Sequence, residues 1–460
     1  MNDEHAPPDS ILGQLQRGRG LGFLRVLEAP RSEAQRMLSH CILNDPRIDS
    51  QCEDRADYYA ILALVLELPL NLLAVHLRTH GGGDVDEDRK ARLTIQTLRA
   101  LAKRSCKPAA EILLEHVEQA EDWSSNVADL VASGDRDVQL RLAGIIECRF
   151  PTVESLHHAL DWEFFENDEW RTLSRLSPRI GKVMELPNSR TPSRDAAAVT
   201  RRETEGMNAR QLLELARDRK RMGLRHSMEN AVRPGDMEFL KSQVVMNDRE
   251  VAATALWGIA RLATPDLFDW LRDTYTAHPD MWSPIRVACI RAMTALPPET
   301  TLPLGRLWLN RDDWHLRRMA EDLLAAHASA EDLPLLSETL REALAGEPET
   351  SYRICNLAKA IGNLSGIGRV PELQLAFETV RHSCARWSIA PALRTTDPDG
   401  FRDNFSFECL WDCESAVRRE GISSISTNTL KVRDRLWELT SDPYEDEDVR
   451  DAARERIPNR

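Results

Sequence analysis

The sequence predicts an all-α protein, an α-solenoid of helix–turn–helix repeats that follows an N-terminal helical module. Three observations lead there. Apolar residues recur with the 3.6-residue period of a helix face in segment after segment. Alternating runs of Val, Ile, Thr and aromatic residues, the mark of strands, are nearly absent, and aromatics are only 6% of the 460 residues. One helical pattern also returns at intervals of a helix–turn–helix unit, which cannot bury its apolar face alone and must stack on a neighbour.

Taken in order, DSILGQLQR (9–17) carries Ile11, Leu12 and Leu15 as a first helical stripe. FLRVLEA (23–29) reads as a short amphipathic helix, and RADYYAILALVLELPLNLLAVHL (55–77) as the main apolar helix or helix pair of a module spanning 1–80. The glycine-rich acidic loop HGGGDVDEDR (80–89) closes that module. A second stretch, 85–185, holds DRDVQLRLAGIIECRF (135–150), with Val138, Leu142, Ile145 and Ile146 at i, i+4, i+7 and i+8. Its acidic entry lies where the helix dipole favours negative charge. Residues 186–206 are rich in Pro, Ser, Thr and charge without apolar period, and are expected to be a mobile linker or loop.

From 207 to 460 the 135–150 pattern returns: Val251, Ala255, Gly258 and Ile259; Ile285, Cys289, Ala292 and Met293; Leu316, Ala320, Leu323 and Leu324; Ile354, Ala358, Ile361 and Gly362; and Val449, Ala453 and Ile457. The first four anchors, Val251, Ile285, Leu316 and Ile354, are 34, 31 and 38 residues apart. Small residues at the inner offsets allow a neighbouring helix to approach closely. An irregular stretch, 390–406, interrupts the array.

The order of acidic entry, Val-Arg-like pair, small residues and aliphatic pair in 135–146, 248–259, 283–293 and 446–457 resembles the second helix of a HEAT repeat. The resemblance covers mainly 238–365. It implies a HEAT-like solenoid, an architecture that presents long ridges to extended partners and is close to silent on chemistry. HEAT-like DNA glycosylases and bilin lyases share it; nothing here beyond the repeats points to a bilin pocket.

Composition narrows the classes. The net charge of −14 argues against a general affinity for nucleic acid or anionic membrane. No uninterrupted apolar run of spanning length occurs, so no membrane partner is expected. The acidic, proline-containing start MNDEHAPPDS is not expected to be a secretory signal. Nine scattered cysteines read as reduced, packed thiols of a cytoplasmic protein. Lysines number eight against fifty-two arginines, a skew expected of a GC-rich, bacterial genome, and one that leaves few candidates for lysine chemistry.

Few segments suggest chemistry. LQRGRGLGFLR (15–25) alternates Gly18, Gly20 and Gly22 with arginines, but its spacing is not that of a dinucleotide loop and no strand precedes it. It is expected to be a glycine-rich break between helices, its arginines solvated or paired with acids, with Arg17, Gly18, Arg19 and Gly20 as a candidate anion site. GNLSGIGR (362–369) is expected to cap a helix rather than hold phosphate. His76 and His80 stand i, i+4 in HLRTH without the glutamate of a zincin, and Cys409 and Cys413 lack a second pair, so neither is expected to bind metal. DPYEDED (442–448) is expected to lead into the last helix rather than form an EF-hand loop.

The strongest anomaly is electrostatic. Between Arg171 and Arg233 fifteen Arg/Lys oppose seven Asp/Glu, a local balance of +8, so the remainder carries −22. On one helix beginning near Asn208, Arg217, Lys220 and Arg221 would share a face, with Arg225 one turn further. These four are the candidate binding residues, suited to carboxylate or phosphate contacts. The function expected is a non-catalytic scaffold or adaptor for an acidic or extended protein, without cofactor or metal. The alternative is nucleic-acid binding through 171–233.

Overall fold

The computed structural model describes residues 5–81, 85–120, 123–160, 168–186, 204–219, 224–245, 248–278, 283–347 and 351–457. Among them the chain forms 29 α-helices and a few short 3-10 turns, and no strand. The all-α expectation holds. No described helix is long and apolar enough to cross a membrane.

Helix ends follow local chemistry. Asp135 Oδ1 accepts from the backbone N of Asp137 and Val138 at the start of Arg136–Arg149. Asp248 caps Arg249–Leu262 and Asp313 caps Trp314–His327 in the same way. These three acidic entries are thus N-caps that satisfy amide groups with no partner within the helix, whereas Asp446, ahead of Glu447–Arg456, makes no such side-chain bond. Pro284 opens Pro284–Thr294 at a position where a missing N–H is harmless.

The chain divides into two units. One comprises 1–190, 347–351 and 373–460; the other comprises 191–346 and 352–372. Residues 373–460 thus group with the first 190, whereas the sequence placed them in one array running from 207.

In the first unit, α1 (Ile11–Gln16), α2 (Gly20–Glu28), α3 (Arg31–Leu43), α4 (Ala56–Val65) and α5 (Asn71–His80) share a single apolar core with helices up to Glu185 and with those of the C-terminal segment. Leu15, Val26, Leu38, Tyr59, Leu113, Trp170, Leu410 and Leu436 belong to it. Two tyrosines of α4 fasten the α1–α2 loop: Tyr58 Oη donates to Arg19 O (2.8 Å) and Tyr59 Oη to Leu15 O (2.9 Å).

In the second unit the repeated stripes face inward. Val251, Ala255, Ile259, Ile285, Cys289, Ala292, Met293, Ala320, Leu323, Leu324, Ile354, Ala358 and Ile361 are all buried. A Cβ on Gly258 would come within 3.0 Å of Met228 Cγ, so the small residue sets the approach of the neighbouring helix, Leu224–Ala231. Glu321 is buried there between Arg353 (Nε to Oε1, 3.0 Å) and Asn356 (Nδ2 to Oε2, 3.1 Å).

Candidate functional site

The arginine–glycine loop between α1 and α2 is interior structure. Arg17 and Arg19 are both 4% exposed, so of the two arrangements expected, solvated or paired with acids, the solvated one does not occur and Arg19 takes the paired one. Four arginines, Arg17, Arg19, Arg55 and Arg386, lie buried with four carboxylates, Glu53, Glu408, Asp412 and Glu414. Arg19, Arg55 and Arg386 each pair with one of these carboxylates, which makes their burial tolerable, since an unpaired buried ion costs far more than its pair.

Each guanidinium has defined acceptors. Arg19 Nη2 grips Glu408 through both oxygens (2.8 and 3.0 Å), and Glu408 Oε2 also accepts from Leu21 N (3.2 Å) in the first turn of α2. A helix start flanked by arginine does attract an anion here, and the anion is the chain's own Glu408. Arg17 donates to the carbonyls of Thr379, Ala6 and Gly13. Arg386 meets Asp412 in a fork (2.9 and 3.0 Å) and donates to Arg17 O (2.9 Å). Arg55 Nη2 pairs with Glu53 (3.1 Å), and its Nη1 donates to Cys413 Sγ (2.9 Å).

The glycines explain themselves in this setting. Gly18 has φ +65°, and a Cβ there would run into Cys413 Sγ and come within 2.8 Å of Arg55 Nη1. A Cβ on Gly20 would run into the Glu408 carbonyl.

At the edge of this network stands a group that the sequence did not single out. Cys52, on the loop between α3 and α4, places Sγ 3.4 Å from His382 Nε2. Cys384 Sγ donates to Cys52 O (2.8 Å), and the three ligand-type atoms all lie within 4.8 Å of one another. Ser383, between His382 and Cys384, gives its N (2.9 Å) and Oγ (3.0 Å) to Glu53 Oε2, while Glu53 Oε1 accepts from Ile48 N and Asp49 N. His382 N and Arg381 N both point to Glu347 Oε1. Burial tends to raise the Glu53 carboxyl, but Arg55 and the Ser383 amide outweigh it and hold it below its usual range. Burial raises both thiols, with Asp49 and Glu53 adding to it at Cys52 and Glu414 at Cys384. Burial lowers the His382 imidazole below its usual range.

Cys52 is half-buried and lines an open cavity of about 340 Å3 together with Arg47, Asp57, Gln96, Arg99 and Lys103. Two of these cations are already engaged, Arg47 by Asp45 and Arg99 by Asp129. The signal in the sequence was weak: D-x-x-C at 49–52 and H-x-C at 382–384 lie 330 residues apart.

Of the four basic candidates the described residues include two, on separate helices. Arg217 is exposed on Ala209–Arg219, and its Nη2 donates to Gln243 Oε1 (3.0 Å). Arg225 lies on the following helix, Leu224–Ala231, and pairs with Glu250 Oε2 (3.3 Å). Lys220 and Arg221 lie outside the described residues, as does most of the expected linker 186–206. The ring centres of His76 and His80 lie 4.8 Å apart with the planes tilted by 58°, and His76 Nε2 is 3.2 Å from Lys90 O. Cys409 and Cys413 are buried thiols, as expected.

No family model matches the chain, and no curated protein is similar to it.

Proposed function

We propose that the protein is a non-catalytic, HEAT-like adaptor that holds another protein. The observation that supports this reading most is a run of exposed aliphatic side chains on the α4–α5 pair. Leu64 is 39%, Val65 57%, Leu72 52% and Val75 56% exposed. Leu72 and Val75 stand i, i+3 on one face of α5. Their position is firmly held, since Arg31 Nε and Gln35 Nε2 of α3 both donate to Leu66 O in the turn between the two helices. Scattered exposed apolar residues are ordinary, but four within twelve residues on a fixed turn suit a protein contact. The buried charges, by contrast, are engaged within the chain and are not offered to a ligand. Capped helices at repeat spacing, with small residues at the inner offsets, support the HEAT-like reading.

Tagged full-length protein, Leu72→Glu/Val75→Glu and Arg217→Glu/Lys220→Glu/Arg221→Glu are compared in pull-downs from the host's own lysate, with and without nuclease. The first pair is exposed and should change stability by no more than about 0.5 kcal/mol. A stoichiometric protein partner that survives nuclease and is lost with Leu72→Glu/Val75→Glu is the expected result. Loss with the arginine variant alone would move the docking site to the basic region. Identical partner sets throughout, or losses that follow nuclease, would overturn the adaptor reading.

A further inference from the structure

We propose that Cys52, His382 and Cys384 form a zinc-type metal site. The 3.4 Å between Cys52 Sγ and His382 Nε2 matches the roughly 3.5 Å between sulfur and nitrogen ligands on a tetrahedral zinc, given Zn–S of about 2.3 Å and Zn–N of about 2.0–2.1 Å. Cys384 Sγ lies within the same 4.8 Å cluster and leaves its bond to Cys52 O when it becomes a ligand. Two thiols and an imidazole are the donor set of soft, zinc-like ions rather than of calcium or magnesium.

The surroundings support the same ligand. Glu53 lies next to Cys52 in the chain and clamps Ser383, the residue between the other two ligands. The three donors are therefore held by one buried carboxylate, the outer support that orients good metal sites. Asp49 is close enough to act electrostatically on both Cys52 and His382. Glu53, Glu414 and Asp49 place negative charge around the site, part of it balanced by Arg55, which pairs with Glu53 and Glu414. The cavity beside half-buried Cys52 provides the way in. Binding is an exchange without redox change: Zn2+ enters, two thiols lose their protons to solvent, and two thiolates and the neutral imidazole coordinate. Affinity therefore rises with pH.

The test uses reduced, chelator-treated full-length protein and Co2+ as the probe. One Co2+ per chain with a thiolate-to-cobalt charge-transfer band, displaced by Zn2+, is expected. Cys52→Ser, Cys384→Ser and His382→Gln each remove a direct ligand and should each weaken binding by more than the roughly 10–100-fold that loss of an outer-shell partner costs. Cys148→Ser, which removes an exposed thiol elsewhere, should leave it unchanged. Far-UV circular dichroism checks that each variant keeps its helix content. His382→Gln and half-buried Cys52→Ser serve as independent tests if Cys384→Ser fails to fold. No charge-transfer band in the reduced wild type, or a band that survives Cys52→Ser and His382→Gln, would overturn the proposal. Its outcome is independent of the pull-down, which reads a different part of the unit.

Discussion

Arg55 and Arg386 have no exposed surface, and each is matched by a carboxylate that is itself buried. Such pairs add little net stability, yet removing one partner leaves a buried charge alone at a cost of about 3–5 kcal/mol. Glu321 shows a buried acid with a measurable consequence. Burial pushes its carboxyl up to about 7, against the pull of Asn356 and Arg353. The folded state therefore holds a proton that the unfolded chain has released, and the stability this gives is present below pH 4.5 and declines as pH rises towards about 7. The slope is about 1.4 kcal/mol per pH unit at most. Denaturant titrations at several pH values should show wild type losing stability relative to Glu321→Gln over that window; parallel profiles would contradict the assignment. At this scale the sequence was a poor guide. Nothing local marks Arg17 and Arg19 as buried, because the partner that decides Arg19, Glu408, is 389 residues away.

Helices were legible because their signals are local. Asp135, Asp248 and Asp313 each announce a helix that begins at the next residue, and the apolar stripes behind them face inward. What was not legible is how closely elements approach. Gly20 and Gly144 both sit inside helices, yet a Cβ on Gly20 would strike the Glu408 carbonyl, whereas one on Gly144 in Arg136–Arg149 would meet nothing within 4 Å. Gly144→Ala should accordingly stabilise by about 0.5–1 kcal/mol, through the conformational freedom that glycine loses on folding. Gly20→Ala should destabilise, since backbone must move to admit the methyl group. Thermal unfolding of both variants checks the pair; a stable Gly20→Ala would mean that the Arg19–Glu408 region is looser than described. In the basic segment the described residues place Arg217 and Arg225 on two helices, Ala209–Arg219 and Leu224–Ala231, and the residues between them lie outside the described ones.

For the whole molecule, repeat spacing suggested an array running on to residue 460, whereas residues 373–460 group with 1–190. That grouping creates the buried charge network and brings Cys52 to His382 and Cys384, so the candidate metal site exists only where the two distant segments fold together. Its cause lies in contacts that no periodicity reveals: Arg386 to Asp412 and to the Arg17 carbonyl, and Cys413 N to Gly18 O at 2.9 Å. The most direct measurement is hydrogen exchange on full-length wild type and Arg386→Met. With about 3 kcal/mol lost, amides of 11–28 and of 386–425 should lose protection together by roughly a hundredfold, while 249–262 and 284–294 stay as in wild type. Loss confined to 386–425, with 11–28 as protected as before, would contradict the claim that the two ends of the chain form one cooperative unit.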